Sequence, residues 1–382
     1  MKQNATGLMN EYTNSNAQPG ALDLAVIVPT FNEIENVEIL TKRLVEVLSP
    51  LKFEIIFVDD NSPDGTADAV RALAAKIPEL RCIQRVGRRG LSSAVIEGIL
   101  ATTAKYAAVI DGDLQHDETR LPTMLNTLID EDVDIVVGTR YSGDGGFGDW
   151  SDRRRKMSQR ATLLAKRLTG IQLSDPMSGF FMVKTASFRD RVGDLTGVGY
   201  KILLDLLSSK GEKMAFAEIP YEFKNRQAGD SKLDNKVILE FIELLIARTA
   251  GRVLPTKFIM FSMVGAFGVL IHMAVLSALF GGGISTFVMA QATATVVAMT
   301  VNFFVNNFFT YFDRQLGGWR LLTGWLSFCA ASAVGALANI GLSAYLFENL
   351  GFPWFGAALV GIVVGATWNY AITALFTWRD TG

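Results

Sequence analysis

From residue 22 to about residue 235, short apolar runs alternate with stretches of helical spacing. The runs predict buried strands and the stretches between them predict helices. The strands are predicted at residues 24–30, 53–60, 80–86, 106–113 and 134–140, and the helices at residues 36–48, 66–75, 91–101 and 121–129. Strands that alternate with helices indicate βαβ units, so this part of the chain is expected to be an α/β domain with a mainly parallel sheet.

The pattern changes near residue 236. Residues 237–254 have a dense apolar face with Lys236, Arg248 and Arg252 nearby, which predicts an amphipathic juxtamembrane helix at residues 236–255, lying on a membrane surface. The alternative is a helix packed on the α/β domain. Four apolar stretches follow, each about long enough to cross a bilayer core of roughly 30 Å. These predicted spans lie at residues 258–280, 286–312, 321–347 and 353–378.

Charge separates the two parts of the 382-residue chain further. It has 36 Lys and Arg and 38 Asp and Glu residues, only seven of which follow residue 256. This distribution excludes a purely soluble enzyme, a disordered chain and a basic nucleic-acid binder. Residues 1–22 are polar and are expected to form a flexible tail.

Basic residues at the ends of the predicted spans indicate an orientation. Arg314 and Arg320 lie between the second and third spans, Lys257 precedes the first, and Arg379 follows the fourth. By the positive-inside rule, the α/β domain, the loop at residues 313–320 and the C-terminus are expected on the cytoplasmic side.

Some polar residues fall inside the predicted spans, at Asn302, Asn306, Asn339, Asn369 and His272. The ends of the second and fourth spans share a weak Asn-aromatic and Phe-Thr-aromatic pattern, so the four spans resemble a duplicated helical hairpin. Buried amides are costly in lipid and are expected to face other helices. Contacts between helices are favoured over a path for a substrate.

The most informative hexapeptide is DGDLQH, which follows the fourth predicted strand. Asp111 and Asp113 place two carboxylates at the end of a buried strand, and Gln115 adds an amide oxygen. Oxygen ligands of this kind suit Mg²⁺ or Mn²⁺ held together with substrate phosphates. The alternative is an Asp-Gly turn that caps the next helix.

Acidic and basic residues follow other strands. Glu33 comes after the first strand, and Asp60 lies in VDDNSPDGT after the second, where a carboxylate can accept hydrogen bonds from a base or ribose. The basic residues that follow along the chain are Arg140, the run 153–156, Arg226 and Lys232. Arg and Lys match phosphate oxygens, so the sheet edge is expected to bind a cation and phosphates together.

These motifs resemble the dolichyl- and polyprenyl-phosphate mannose synthases, which belong to the inverting glycosyltransferases of family 2 with the GT-A fold. The resemblance covers about residues 22–235, in PTFNE, VDDNSPDGT, GLSSAV, DGDLQH, GTRY, DPMSGFF, GYKILL and GDSKL. It implies a GT-A (Rossmann-like) catalytic domain at residues 23–235. Residues 256–382 resemble a GtrA-like transmembrane domain of four helices. The fusion is similar to synthases that carry their own membrane domain.

The resemblance implies roles for individual residues. Asp111, Asp113 and Gln115 match the metal-site motif. The nucleotide-sugar site would comprise Pro29, Phe31, Glu33, Asp60, Asp111, Asp113, Arg226 and Lys232. The acceptor phosphate would be held by Arg140, Arg154 and Ser158, and the catalytic set would be Asp113, Arg140, Arg154, Arg226 and Lys232.

This sequence departs from the family pattern at two places. Phe31 stands where the family often has Tyr, so a hydroxyl contact is lost. Residues 158–161 read SQRA where S-R-G-A is common, so the arginine among residues 153–160 that meets the acceptor stays open.

The reaction that the resemblance implies is transfer of mannose from GDP-mannose to a polyprenyl or dolichyl monophosphate, with inversion at the sugar. DPMSGFF and GYKILL favour mannose, and UDP-glucose or UDP-GlcNAc is the alternative donor. A processive polysaccharide synthase is disfavoured because no Q-x-x-R-W motif is present. A flippase of lipid-linked sugars with a nucleotide-sensing domain is the alternative from another class. The helical domain could anchor, present lipid, oligomerise or help to flip product, and the oligomeric state stays open.

Overall fold

The computed structural model describes residues 22–141, 152–197, 199–224, 235–249, 256–311 and 315–372. The chain divides into two compact units between Thr249 and Ala250.

The first unit is built on a seven-stranded sheet with the order β3-β2-β1-β4-β6-β5-β7. Its strands are β1 Leu24–Thr30, β2 Phe53–Asp59, β3 Leu80–Gln84, β4 Tyr106–Val109, β5 Ile135–Thr139, β6 Phe181–Lys184 and β7 Phe216–Pro220. All neighbours pair in parallel except that β6 runs antiparallel to β4 and to β5. The predicted mainly parallel sheet is confirmed, and β6 and β7 are strands that the sequence pattern did not predict.

Helices cover both faces of the sheet. They are α1 Ile34–Leu48, α2 Thr66–Ala74, α3 Leu91–Leu100, α4 Leu121–Asp130, α5 Asp152–Thr169, α6 Thr185–Arg189, α7 Ile202–Leu207 and α8 Asn235–Arg248. Successive residues of β1 alternate between two apolar clusters, because side chains alternate across a strand. Val26 packs in the cluster that includes α1 and α4, and Ile27 packs in the cluster that includes α3 and α7.

Helix α8 overlaps the predicted juxtamembrane helix at residues 236–255, beginning one residue earlier at Asn235 and ending at Arg248. Its Leu244 and Leu245 pack with Ala165 of α5 and Leu204 of α7. Arg248 donates to the buried carboxylate of Asp205 at 2.6 Å. One face of α8 is therefore packed on α5 and α7 of the same unit. The contact of α8 with a membrane stays a prediction.

The second unit contains α9 Thr256–Leu276, α10 Phe287–Phe309, α11 Trp319–Glu348 and α12 Trp354–Ile372, with a π-helical turn Ser277–Gly281 after α9. Among the described residues, three segments are long and apolar enough to cross a membrane, at Ile259–Gly281, Phe287–Phe309 and Trp319–Glu348. They agree with the first three predicted spans. The fourth predicted span begins in α12, and residues 373–378 lie outside the part of the chain that the structure describes.

Polar side chains join these helices. His272 of α9 bonds to Gln291 Oε1 of α10 at 3.2 Å. The Gln291 amide donates to Asn339 Oδ1 and to Ser343 Oγ of α11, both at 3.0 Å. Gly361 of α12 lies against Asn339 and Ser343, since a Cβ atom there would clash with the polar atoms of both side chains. The predicted role of Asn339 and His272 as contacts between helices is confirmed. The side chain of Asn369 lies outside the described residues.

Candidate active site

One edge of the sheet collects the candidate functional residues. The carboxyl ends of the parallel strands meet there, and ligands of open α/β sheets bind beyond such ends. Because β6 runs in the opposite direction, the loop at residues 175–180 that precedes it reaches the same edge. The edge therefore carries residues from DGDLQH after β4, GTRY after β5 and DPMSGFF before β6.

Strand β4 ends earlier than predicted, at Val109, and DGDLQH forms a tight turn. The Asp111 amide donates to His116 Nδ1 at 3.1 Å instead of to a neighbouring strand. Leu114 takes a positive φ of 63°, and the Gln115 amide donates to Asp113 Oδ1 at 3.2 Å. The helical turn that follows is capped by Asp117, which accepts from the Thr119 amide. The two carboxylates of the motif are therefore not the caps of that turn.

The Asp111 carboxylate is held closely by its neighbours. A Cβ atom at Gly179 would lie 2.9 Å from Asp111 Oδ2, so a side chain there would displace the carboxylate. Burial, and then the charge of Asp113, raises the pKa of Asp111 well above its usual range. His116 Nε2 lies 3.7 Å from Asp111 Oδ2.

His116 itself is buried and stacks on Phe180, with ring centroids 5.3 Å apart. Burial lowers the pKa of His116 to about 4. Because Nδ1 accepts the Asp111 amide hydrogen, the neutral ring carries its proton on Nε2. His116 therefore helps to position Asp111 and is not set up as a general base.

The residues present fit a divalent cation. Asp111 Oδ1 is buried and accepts no hydrogen bond from the described residues, which is the state expected of an oxygen that awaits a cation. No group of three His, Cys, Asp or Glu side chains suited to a metal occurs in the described part of the chain. Asp111 and Asp113 are thus a partial set of ligands. Gln115 is on the same turn, and its amide nitrogen donates to the Lys224 carbonyl at 3.0 Å.

The predicted nucleotide-binding residues of β1 lie at the same edge. Pro29 is buried in β1, where it pairs with Val58 of β2. The Arg89 guanidinium lies 4.5 Å from the centroid of the Phe31 ring. The Glu33 carboxylate accepts a hydrogen bond from the side-chain amide of Asn36 at 2.8 Å.

Asp60 is embedded in protein contacts. Its Oδ2 accepts from the Gly90 amide at 2.7 Å, and its Oδ1 lies 2.9 Å from Arg85, a fully buried arginine. Burial raises the pKa of Asp60, while the Gly90 amide and Arg85 act in the opposite direction. Both carboxylate oxygens therefore shape the loop that carries Gly90, and the predicted contact of Asp60 with a nucleotide stays a prediction.

Arg140 follows β5 and forms a fork with Asp175. Its Nε and Nη2 donate to the two carboxylate oxygens at 2.7 and 3.0 Å, and Asp175 is fully buried. Burial opposes the charge of Arg140, but Asp175 raises its pKa further above the usual value. This ion pair closes the segment from the end of β5 to the loop before β6.

Ser158 is the last predicted site residue whose side chain the structure describes. Ser158 of α5 shares a hydrogen bond with the Tyr141 hydroxyl at 2.9 Å. Arg226, Lys232 and the side chain of Arg154 lie outside the described residues, so their roles stay predictions.

Three residues that shape this edge were not among the predicted site residues: His116, Asp175 and Gly179. Each lies in a motif on which the resemblance rests, DGDLQH or DPMSGFF. The motifs signalled the segments, but the contacts between residues such as Arg140 and Asp175, 35 positions apart, depend on the fold.

Comparison with known proteins defines the class. Residues 25–192 match glycosyl transferase family 2, and residues 260–378 match the GtrA/DPMS transmembrane domain. The chain is thus a glycosyltransferase with an α/β catalytic domain and a membrane domain. The predicted fold and enzyme class are confirmed.

The relatives define the family. The chain is 32% identical over 361 residues to a dolichol-phosphate mannosyltransferase of Pyrococcus furiosus, covering 94% of this chain and 99% of that protein. It is 38% identical to a dolichol-phosphate mannosyltransferase of Saccharomyces cerevisiae, over 59% of this chain and 86% of that one. A dolichol-phosphate mannosyltransferase of Mycosarcoma maydis is 39% identical, over 58% of this chain and 77% of that protein. The chain belongs to the dolichol-phosphate mannosyltransferase family.

Proposed function

We propose that this protein transfers mannose from GDP-mannose to a polyprenyl or dolichyl monophosphate at the cytoplasmic face of a membrane, giving a β-linked lipid-phosphate mannose. One observation carries the proposal: the Asp111 and Asp113 carboxylates lie at the same sheet edge as the Arg140 guanidinium. Acidic groups for a cation and basic groups for phosphates are what a site for two phosphorylated substrates needs. The names of the relatives support mannose and a lipid phosphate.

Asp111, Asp113 and Gln115 would hold Mg²⁺ or Mn²⁺ together with oxygens of the donor diphosphate. A cation bound there would neutralise the charge that develops on the departing nucleoside diphosphate. Arg226 and Lys232 would contact the same diphosphate, and Pro29, Phe31, Glu33 and Asp60 would line the nucleoside pocket.

The acceptor's own chemistry explains the shortage of general bases. A phosphate monoester has a second pKa of about 6 and is largely dianionic at neutral pH, so its oxygen can attack without losing a proton to the protein. The chain has two histidines. His116 is occupied by the Asp111 amide, and His272 is bonded to Gln291 in the second unit. Catalysis would therefore depend on aligning two anionic substrates and on neutralising their charge.

The membrane domain would supply the acceptor, because a polyprenyl chain stays in the bilayer. The basic residues Lys257, Arg314, Arg320 and Arg379 favour the cytoplasmic side for the catalytic domain. Arg140, Arg154 and Ser158 would then meet the lipid's phosphate group.

The test uses purified full-length protein with one polyprenyl phosphate, Mg²⁺ or Mn²⁺, and a panel of donors: GDP-mannose, UDP-glucose and UDP-GlcNAc. Lipid-linked mannose is expected from GDP-mannose alone. Asp113→Ala should abolish transfer, and Asp132→Ala should not, because Asp132 is exposed and pairs with Lys184.

Transfer from another donor would overturn the assignment of mannose. Full activity of Asp113→Ala, or of wild type in excess chelator, would overturn the metal site. Movement of lipid-linked sugar across a vesicle membrane, without any sugar transfer, would favour the alternative function as a flippase.

A further inference from the structure

The outer face of helix α5 is both apolar and basic. Leu163 is 68% exposed, and Leu164 and Leu168 are each 46% exposed. Single exposed leucines are common on protein surfaces and need no explanation. Three of them within six residues form a patch, and an exposed apolar patch marks a surface that contacts another molecule.

The opposite face of α5 attaches the helix to the first unit. Ala165 is fully buried in a cluster with Leu204 of α7 and with Leu244 and Leu245 of α8. Because a helix that packs by one face presents the other to its surroundings, the three exposed leucines are not part of the core of this unit.

Basic residues lie among the leucines. Lys156, Arg160 and Arg167 are exposed, and they are three or four positions from the next exposed residue of the patch, which places them on one helix face. Residues 153–174 include seven basic residues and no acidic residue. Helix α8, which packs on α5, has two basic and two acidic residues and does not offset this charge.

Leucines among lysines and arginines fit the surface of an anionic membrane. Apolar side chains enter the boundary between head groups and acyl chains, while long basic side chains keep their charges among the anionic head groups. A nucleic acid would contact the basic residues and leave the leucines in water. The chain also enters its apolar segments close by in sequence, since α8 ends at Arg248 and the first segment begins at Ile259.

We propose that the outer face of α5 docks on a membrane surface that contains anionic lipid. This face is formed by Lys156, Arg160, Leu163, Leu164, Arg167 and Leu168. The docked helix lies along the surface, with its leucines below the head groups. The contact weakens at high salt, because the Debye length falls from about 10 Å at 0.1 M to about 3 Å at 1 M.

The test places one spin label on α5 of the full-length protein in lipid nanodiscs. Leu164→Cys carries the label, after Cys82→Ser and Cys329→Ser remove the two native cysteines. Leu100→Cys is the matched control, because Leu100 is also 46% exposed but ends α3 ahead of β4, away from the active-site edge. Discs of phosphatidylcholine alone are compared with discs of equal parts phosphatidylcholine and phosphatidylglycerol.

The readout is the accessibility of the label to oxygen, which partitions into lipid, relative to a water-soluble nickel chelate. In discs with phosphatidylglycerol, the label at residue 164 should be more accessible to oxygen and the label at residue 100 to nickel. At residue 164 the ratio of oxygen to nickel accessibility should fall in phosphatidylcholine alone and in about 1 M salt.

Three outcomes would contradict the proposal. Nickel access to residue 164 in every disc would exclude docking. A label that neither reagent reaches would show that protein covers this face, and spin–spin broadening would identify that protein as a second copy. Equal lipid exposure in both kinds of disc would exclude a role for anionic lipid.

Charge reversal gives a second readout on the protein labelled at residue 164. Lys166→Glu with Arg167→Glu lowers the net charge of residues 153–174 by four, so the accessibility ratio in mixed discs should fall toward its value in phosphatidylcholine. Lys52→Glu with Lys105→Glu changes the net charge equally at exposed positions before β2 and β4 and should leave the ratio unchanged. Equal falls with both pairs would contradict docking by α5. These measurements contain no substrate, so their outcome is independent of mannose transfer.

Discussion

Polar groups are buried in both units of the molecule, but they are used differently. In the second unit, His272, Gln291, Asn339 and Ser343 bond to one another across three helices. At the active-site edge of the first unit, Asp111 keeps a buried oxygen that accepts no hydrogen bond within the described structure. Buried polar atoms are normally paired. Mutual pairing indicates a structural role, and an oxygen left open next to other charged groups indicates a ligand.

The largest loss of activity is expected at Gly179, which lies against the Asp111 carboxylate. Gly179→Ala would place a Cβ atom 2.9 Å from Asp111 Oδ2 and displace the carboxylate. A displacement of about 1 Å at a reacting centre can cost about 100-fold, and this contact requires a smaller shift, so kcat/KM for sugar transfer should fall by about 10-fold. Gly193→Ala is the control, since nothing lies within 4 Å of a Cβ atom there. Equal kcat/KM in the two variants would show that Asp111 tolerates displacement.

Gln291 tests the other half of the comparison. Gln291→Leu removes the hydrogen bonds that join α9, α10 and α11. Hydrogen bonds between membrane helices average about 0.6 kcal/mol each, so the free energy of unfolding should fall by about 1 to 2 kcal/mol. Thr293→Val is the control on the same helix, because its exposed hydroxyl donates to the Met289 carbonyl of its own helix. The kcat of the protein that remains folded should be unchanged, and a loss of kcat at wild-type stability would instead indicate a path for substrate.

Arg89, an exposed residue at the active-site edge, tests whether Phe31 lines the nucleoside pocket. Arg89→Ala removes the cation from the face of Phe31, a contact of about 0.5 to 1 kcal/mol at exposed positions. If Phe31 lines the nucleoside pocket, the KM for the donor should change by two- to fivefold. Arg88→Ala should leave it unchanged, because Arg88 is bonded to Glu97. Identical donor KM values for both variants would place Phe31 outside the pocket.

His116 should keep its neutral protonation state at a pH at which an exposed histidine becomes protonated. Its pKa is lowered to about 4 by burial, and its Nδ1 accepts a backbone hydrogen bond. At pH 5.5, where an exposed histidine is mostly protonated, His116 should stay neutral with its proton on Nε2. Nitrogen chemical shifts of ¹⁵N-labelled histidine measure this, and His116→Phe assigns the signal in a chain with two histidines. A protonated ring at pH 5.5 would show that Nδ1 does not hold the Asp111 amide.

Much of the first unit was predictable because its signals are local. The run LAVIVPT is long and apolar, and it forms β1 over all seven residues. Strands β6 and β7 are as short as β4 and β5, but they lie outside the run of alternating strands and helices and join the sheet through partners distant in sequence. Their pairing depends on tertiary contacts, which a pattern of neighbouring residues does not record.

The active site follows the same division. The positions of Asp111 and Asp113 followed from the rule that ligands bind beyond the ends of parallel strands. The partners of Arg140 and Asp60 did not, because Asp175 and Gly90 return to the edge only after 35 and 30 residues. The sequence therefore indicates which groups reach the edge, and the fold decides which of them neutralise one another.

The reversed direction of β6 has a consequence for how such enzymes can be changed. The chain leaves the sheet after β5 and returns at β6 to the same edge, where Arg140 and Asp175 tie the two ends together. The segment between Arg140 and Asp175 is therefore held at both ends by one ion pair. Since neither residue belongs to a strand, a segment of different sequence grafted between them would leave the pairing of every strand unchanged, provided that Arg140 and Asp175 are kept.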